Sequence, residues 1–91
     1  QRIIIAMRYA PLQSFLAATP AHIQTAVLSF AQIEQLIQVS LPNSAHQYRE
    51  WWANQTDVSD RPQARAWMHA GYLVQEVNLA AKWVHFHKKV I

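Results

Sequence analysis

The sequence predicts an α+β fold: three to four short helices, one short strand among them, and a C-terminal β-hairpin. Three observations predict it. Apolar residues recur at helical spacing in successive short stretches up to residue 70, the pattern changes to alternation after residue 71, and the only glycine, Gly71, stands at that change. With 91 residues, 52% hydrophobic and 14% charged, and four Trp, three Tyr and three Phe, the chain has apolar matter for one core and no room for a second.

Residues 1–6 are a short apolar run, an added strand or an upstream remnant, and are set apart as an N-terminal extension to a single domain over 7–91. Pro11 suits a first helical position, and Leu12, Phe15 and Leu16 share one face, which predicts a helix over Pro11 to Ala18, ended by Pro20. Ile23 to Ser29 alternates loosely and is rich in β-branched residues, as a short strand requires. Ser29 then caps an amphipathic helix over Phe30 to Gln38, with Phe30, Ile33, Leu36 and Ile37 on one face and Gln32, Glu34, Gln35 and Gln38 on the other. Ser44 and Gln47 have capping-box spacing and predict a further helix over Ala45 to Asn54. A polar stretch, Gln55 to Pro62, feeds a helix over Arg61 to Ala70 that Gly71 closes in the left-handed conformation. Tyr72 to Leu79 and Trp83 to Phe86, joined by Ala80 to Lys82, form the hairpin.

Composition removes several classes of function. Without cysteine there is no disulfide framework, thiolate nucleophile or zinc–cysteine site, and a reducing cytoplasm is the expected compartment. No apolar run is long enough for a membrane span, and the start lacks signal-peptide character. A single glycine cannot make a glycine-rich phosphate loop, the five acidic residues are scattered, and no nucleophile elbow is present, so the expectation is a protein that is not an enzyme and needs no cofactor. His85 and His87 share a strand face but lack a local third ligand, so no metal site is assigned. The net charge of +3 favours an anionic partner.

The order helix, strand, helices, hairpin resembles a winged helix-turn-helix domain, and the segment from Ala66 to Val74, which ends a helix at Gly71 and continues with Tyr72, looks like the join between recognition helix and wing. A closer resemblance runs through Tyr9, Pro11-Leu12, Leu28-Ser29-Phe30, Ser44-Ala45, Arg49, Trp51-Trp52, Asn54, Gln63-Ala64, Ala66-Trp67 and Ala70-Gly71. It is similar to a family of short, uncharacterised bacterial and phage proteins of winged-helix-like plan, over roughly Met7 to Phe86. The winged-helix resemblance implies a fold in which the last strand and wing pair with the strand near Val27, and the family resemblance implies no settled activity. The stretch Ala45 to Asn54 is extra to the usual plan, so either it or Arg61 to Ala70 could enter a groove, and a composite surface of both is favoured.

The side chains equipped for nucleic acid cluster there. Arg49, Arg61 and Arg65 can pair with guanine or phosphate, while Asn54, Gln55 and Gln63, with Gln47, can pair with adenine. The competing reading is a solvated helix face with pairs such as Asp57 and Arg61. Adjacent residues on a helix point about 100° apart, so Trp51 and Trp52 cannot both face one core. Trp67 and one of the pair are expected in the core. The other, assigned as Trp52, is expected beside Arg49 and Asn54, where it would stack on a base or enclose a base methyl group. Lys82 at the hairpin tip, with Lys88 and Lys89 after it, is placed to touch phosphates.

The functional expectation is non-catalytic binding of double-stranded DNA, sequence- or modification-selective, in a regulatory or restriction/defence setting. The second expectation, from another class, is a protein–protein adaptor using an exposed Trp and the apolar face of the Phe30 helix, a face that also permits a homodimer.

Overall fold

In a computed structural model of the chain, residues 8–54 and 62–89 are described. The elements run α1 (Ala10–Ala17), β1 (Thr25–Ser29), α2 (Phe30–Ile37), α3 (Asn43–Gln47), a 3-10 turn (Arg49–Trp52), α4 (Pro62–His69), β2 (Tyr72–Asn78) and β3 (Trp83–Lys88). The architecture is α+β, with four helices and a three-stranded antiparallel sheet in the order β1-β3-β2 among the described residues. Among the described residues no helix is long and apolar enough to cross a membrane.

Local chemistry sets most boundaries. Pro11 lies in the first turn of α1, where a missing N–H costs nothing. β1 starts at Thr25, two residues later than the alternation predicts, because the Ile23 N–H turns back to donate to the Pro20 carbonyl (3.0 Å). Ser29 caps α2 reciprocally: its Oγ accepts from the Gln32 N–H (3.0 Å), and Gln32 Oε1 accepts from the Ser29 N–H (2.7 Å). Both ends of that box satisfy helix-terminal donors that would otherwise be bare. Ser29→Ala is expected to lower stability by about 1 kcal/mol, read as a fall in Tm of about 4–8 °C with the folded spectrum unchanged.

The capping box predicted at Ser44 and Gln47 does not form. α3 begins after Pro42 with no side-chain cap and ends at Tyr48, whose extended backbone (φ −125°, ψ 124°) breaks the helix before the 3-10 turn. The continuous helix expected over Ala45 to Asn54 is therefore two short pieces with a corner between them. Gly71 stands at φ +88°, as expected of a residue closing α4.

β3 is the central strand. Its register places Ala26 against Phe86 and Leu28 against Val84 on one side, and Val74 against Phe86 and Val77 against Val84 on the other, with an irregularity between Val74 and Glu76. These residues share the face that packs on the helices, and Leu28, Val77, Val84 and Phe86 are buried there. The core joins them to Leu12 and Leu16 of α1, Phe30 and Ile33 of α2, and Trp67 of α4. Through its middle runs an aromatic column. Phe30 stacks on Trp52 (5.1 Å between ring centroids), Trp52 stacks on Trp67 (5.8 Å), and Trp67 meets Phe86 (5.7 Å). One column thus ties α2, the 3-10 turn, α4 and the central strand together.

Candidate nucleic-acid interface

The residues predicted to read nucleic acid are, for the most part, committed to holding the fold. Trp52 is 2% exposed, stacked between Phe30 and Trp67, and its indole N–H donates to the Ala45 carbonyl (2.9 Å). The assignment of Trp52 as an exposed stacking platform is corrected: the corner at Tyr48 rotates it into the core. Trp51 is half-buried, edge-on to Trp52 (4.7 Å) and to Tyr9 (6.0 Å). Readout of a base methyl group by Trp52 loses its basis.

Asn54 is exposed, yet its amide works inward. Its Nδ2 donates to the Val74 carbonyl (2.9 Å), and its Oδ1 accepts from the Val74 N–H (2.8 Å) and from Trp67 Nε1 (3.0 Å). That pair of bonds to the N–H and C=O of one residue imitates a neighbouring strand on the outer edge of β2. Arg49 adds to it, with a guanidinium nitrogen donating to the Val77 carbonyl (2.6 Å), although the residue itself stays exposed. Gln63 is corrected too. It is 5% exposed and its Nε2 donates to the Trp51 carbonyl (3.1 Å), fixing the 3-10 turn against α4. Gln55 and Arg61 lie outside the described residues.

Lys82 sits in the hairpin turn, exposed and in the left-handed region (φ +63°). The tip does not project as a free wing. Phe30 N–H donates to the Lys82 carbonyl (2.9 Å), pinning the turn to the start of α2, and the Lys82 ammonium lies 3.1 Å from His46 Nδ1 on α3. His46 Nε2 is in turn 4.0 Å from Glu34, whose carboxylate accepts from the Leu41 N–H (2.8 Å). The predicted phosphate contact thus belongs to a chain of polar groups linking the tip to α2 and α3.

Arg65 is the predicted residue that α4 leaves part-exposed. α4 buries Gln63, Ala64, Ala66 and Trp67 and packs half-buried Met68 against the core, which leaves Pro62 and Arg65 part-exposed and His69 exposed. Arg65 is half-buried, and its Nε is buried with no partner among the described residues. His69, one turn further on, is exposed and was not among the predicted site residues; its spacing of four from Arg65 was the available signal. Beyond α4 the Lys89 N–H donates to the Gly71 carbonyl (2.8 Å), which brings exposed Lys89 to the end of the helix. Lys88 is less free, because its ammonium donates to the Pro20 carbonyl (3.0 Å) and lies 5.9 Å from the Tyr72 ring.

Burial pushes the Tyr9 phenol above its usual range, and Arg8 opposes that shift. The opposite sheet face carries Trp83, His85 and His87 on β3, with Glu76 paired to His85 and Leu73 to His87. His87 Nδ1 lies 2.8 Å from the Lys88 carbonyl.

Residues 9–89 match a domain of unknown function, DUF7662. No curated protein and no solved structure matches the chain. That span takes in every described helix and strand from α1 to β3, so the chain belongs to the DUF7662 family.

Proposed function

We propose that this domain is a winged-helix-like module that binds double-stranded DNA without catalysing a reaction on it, presenting the outer stripe of α4 to the groove. The observation that carries the reading is how α4 is set in the chain. It leads through Gly71 straight into β2 of a sheet ordered β1-β3-β2, as a recognition helix would lead into its hairpin, and it offers part-exposed Arg65 and exposed His69 with no acidic residue in the helix. Lys89 at the helix end and exposed Arg49 at the edge of β2 extend the same sign of charge.

A helix that presents Arg to a major groove can pair with guanine, while flanking cations hold phosphates. With a net charge of only +3 the sequence-independent part of binding is modest, about 10⁻⁴ to 10⁻⁶ M at physiological salt. The test is fluorescence anisotropy with random, methylated and unmethylated duplexes at two salt concentrations. Arg65→Ala is expected to weaken binding by roughly 1–3 kcal/mol, about 5- to 150-fold. Lys89→Ala is expected to weaken all duplexes alike and lower the salt slope by about one. Binding that both variants leave intact, with folding verified by circular dichroism, overturns the assignment of α4.

A second reading has one observation in its favour. Between α1, β1 and α2 lies a shallow cleft of about 240 Å³ lined by Phe15, Leu28 and Leu36 and edged by Gln32 and Gln35. Phe15 is 41% exposed, an apolar anchor for a protein partner that replaces the buried Trp52 in the adaptor role. No DNA binding at low salt would leave this cleft as the functional surface.

A further inference from the structure

The two edges of the sheet are treated differently by the fold. On β2 the outer edge is closed: Asn54 pairs with both polar groups of Val74, Arg49 takes the Val77 carbonyl, and the strand is irregular between Val74 and Glu76. These are the devices by which proteins blunt an edge. β1, the opposite edge, is less protected among the described residues, where a side chain holds only its last outward group, the Ser29 N–H. Thr25 to Ser29 contains no charge and no proline, is paired without a bulge, and leaves Val27 58% exposed.

The direction of its free groups follows from the ladder. Lys88 N–H donates to the Gln24 carbonyl and Phe30 N–H to the Lys82 carbonyl, so in the antiparallel register the peptide groups of Gln24, Ala26, Leu28 and Phe30 face β3. Those of Thr25 and Val27 therefore face outward, with no partner among the described residues. The Ser29 N–H also lies on that side but is already held by Gln32.

We propose that β1 is a self-association edge, and that its occupant is β1 of a second copy of this chain, paired antiparallel about a two-fold axis through Ala26. The observation that selects a second copy is the match of this strand to itself. In that register Thr25 of each copy stands opposite Val27 of the other, and the two residues exchange both of their backbone bonds, which uses every free group of Thr25 and Val27 and leaves the Ser29 cap undisturbed. Ala26 meets Ala26 with no bulk to clash. No like charges meet across the axis, and exposed Val27 and Ile23 of both copies gather on one face of the enlarged sheet. The contact is one short strand pair, so the dimer is weak and concentration-dependent.

The test is sedimentation equilibrium of the full chain over a concentration series, with hydrogen exchange at the Thr25 and Val27 amides. The mass is expected to rise from 10.5 kDa towards twice that value, and both amides to exchange more slowly as concentration rises. Val27→Pro removes an N–H that the β1–β3 ladder does not use and is expected to raise the dimer dissociation constant about tenfold or more. Val27→Lys, which keeps the backbone and sets charge on the paired face, is expected to act in the same direction and decides the matter should the proline variant fail to fold. A mass of 10.5 kDa at all concentrations overturns the proposal, including when the two amides are protected, since the edge is then filled from within the chain. A dimer that survives both folded variants overturns it as well and moves self-association to another surface.

Discussion

Trp67→Ala is expected to remove roughly 3–5 kcal/mol of stability, the cost of emptying a large aromatic site that cannot collapse. Trp67 has no exposed surface, stacks on Trp52, touches Phe86 and donates its indole N–H to Asn54. Its loss cuts the aromatic column at the point where α4 meets the 3-10 turn and the central strand. Against a total of about 5–15 kcal/mol for a domain of this size, the variant is left barely folded. Trp67→Phe keeps an aromatic face against Trp52 but shortens the column and gives up the indole N–H, so an intermediate loss of about 1–2 kcal/mol is expected. Urea denaturation of the three proteins checks the order. A loss below about 1 kcal/mol for the alanine variant would show that the column is not the centre of the core.

Asn54→Ala is expected to cost about 2–3 kcal/mol, more than an exposed residue ordinarily does. The reason is where its bonds go. Trp67 Nε1 is left as a donor inside the core with no acceptor, which carries a desolvation penalty of about 1–3 kcal/mol, whereas the Val74 peptide at the sheet edge recovers part of its bonding from water. Asn54→Asp retains an acceptor for Trp67 and for the Val74 N–H but sets a carboxylate against the Val74 carbonyl, so a smaller loss of about 1 kcal/mol is expected. Two readouts check the assignment. Denaturation of Asn54→Ala, Trp67→Phe and the double variant should show a coupling of about 0.5–3 kcal/mol, and hydrogen exchange should accelerate at the Val74 amide. Additive losses with an unchanged Val74 amide would remove Asn54 from its role as the seal of that edge.

These two residues also show where reading a sequence stops. Trp67 in the core, Ser29 as a cap, Gly71 as a helix stop and the hairpin from Tyr72 were legible, because each depends on neighbours a few positions away. Ser29 and Gln32 are three residues apart, and the left-handed position of Gly71 needs only the absence of a side chain. The pairing of the last strand with the segment near Val27 was legible only through a likeness of element order to winged helices, and the sheet order β1-β3-β2 has that pairing. The candidate site fared differently. Arg49, Asn54 and Gln63 are residue types suited to bases, and type alone could not tell a side chain aimed at a ligand from one aimed at the protein's own backbone. The Asn54 and Arg49 bonds to β2 span 20 and 28 residues.

The sequence by itself determined the α+β class, the element order, the small charge and the absence of thiol chemistry, since these follow from composition and from periodicities expressed within a turn or a strand. Only the tertiary structure decided that Trp52 is interior, that Arg49 and Asn54 close one edge of the sheet, that Lys82 is drawn onto His46, and that, among the described residues, the outward groups of Thr25 and Val27 on β1 have no partner. The physical reason is that a polar side chain is spent wherever an unpaired backbone group lies within reach, and which groups lie within reach is fixed by contacts between segments far apart in the chain.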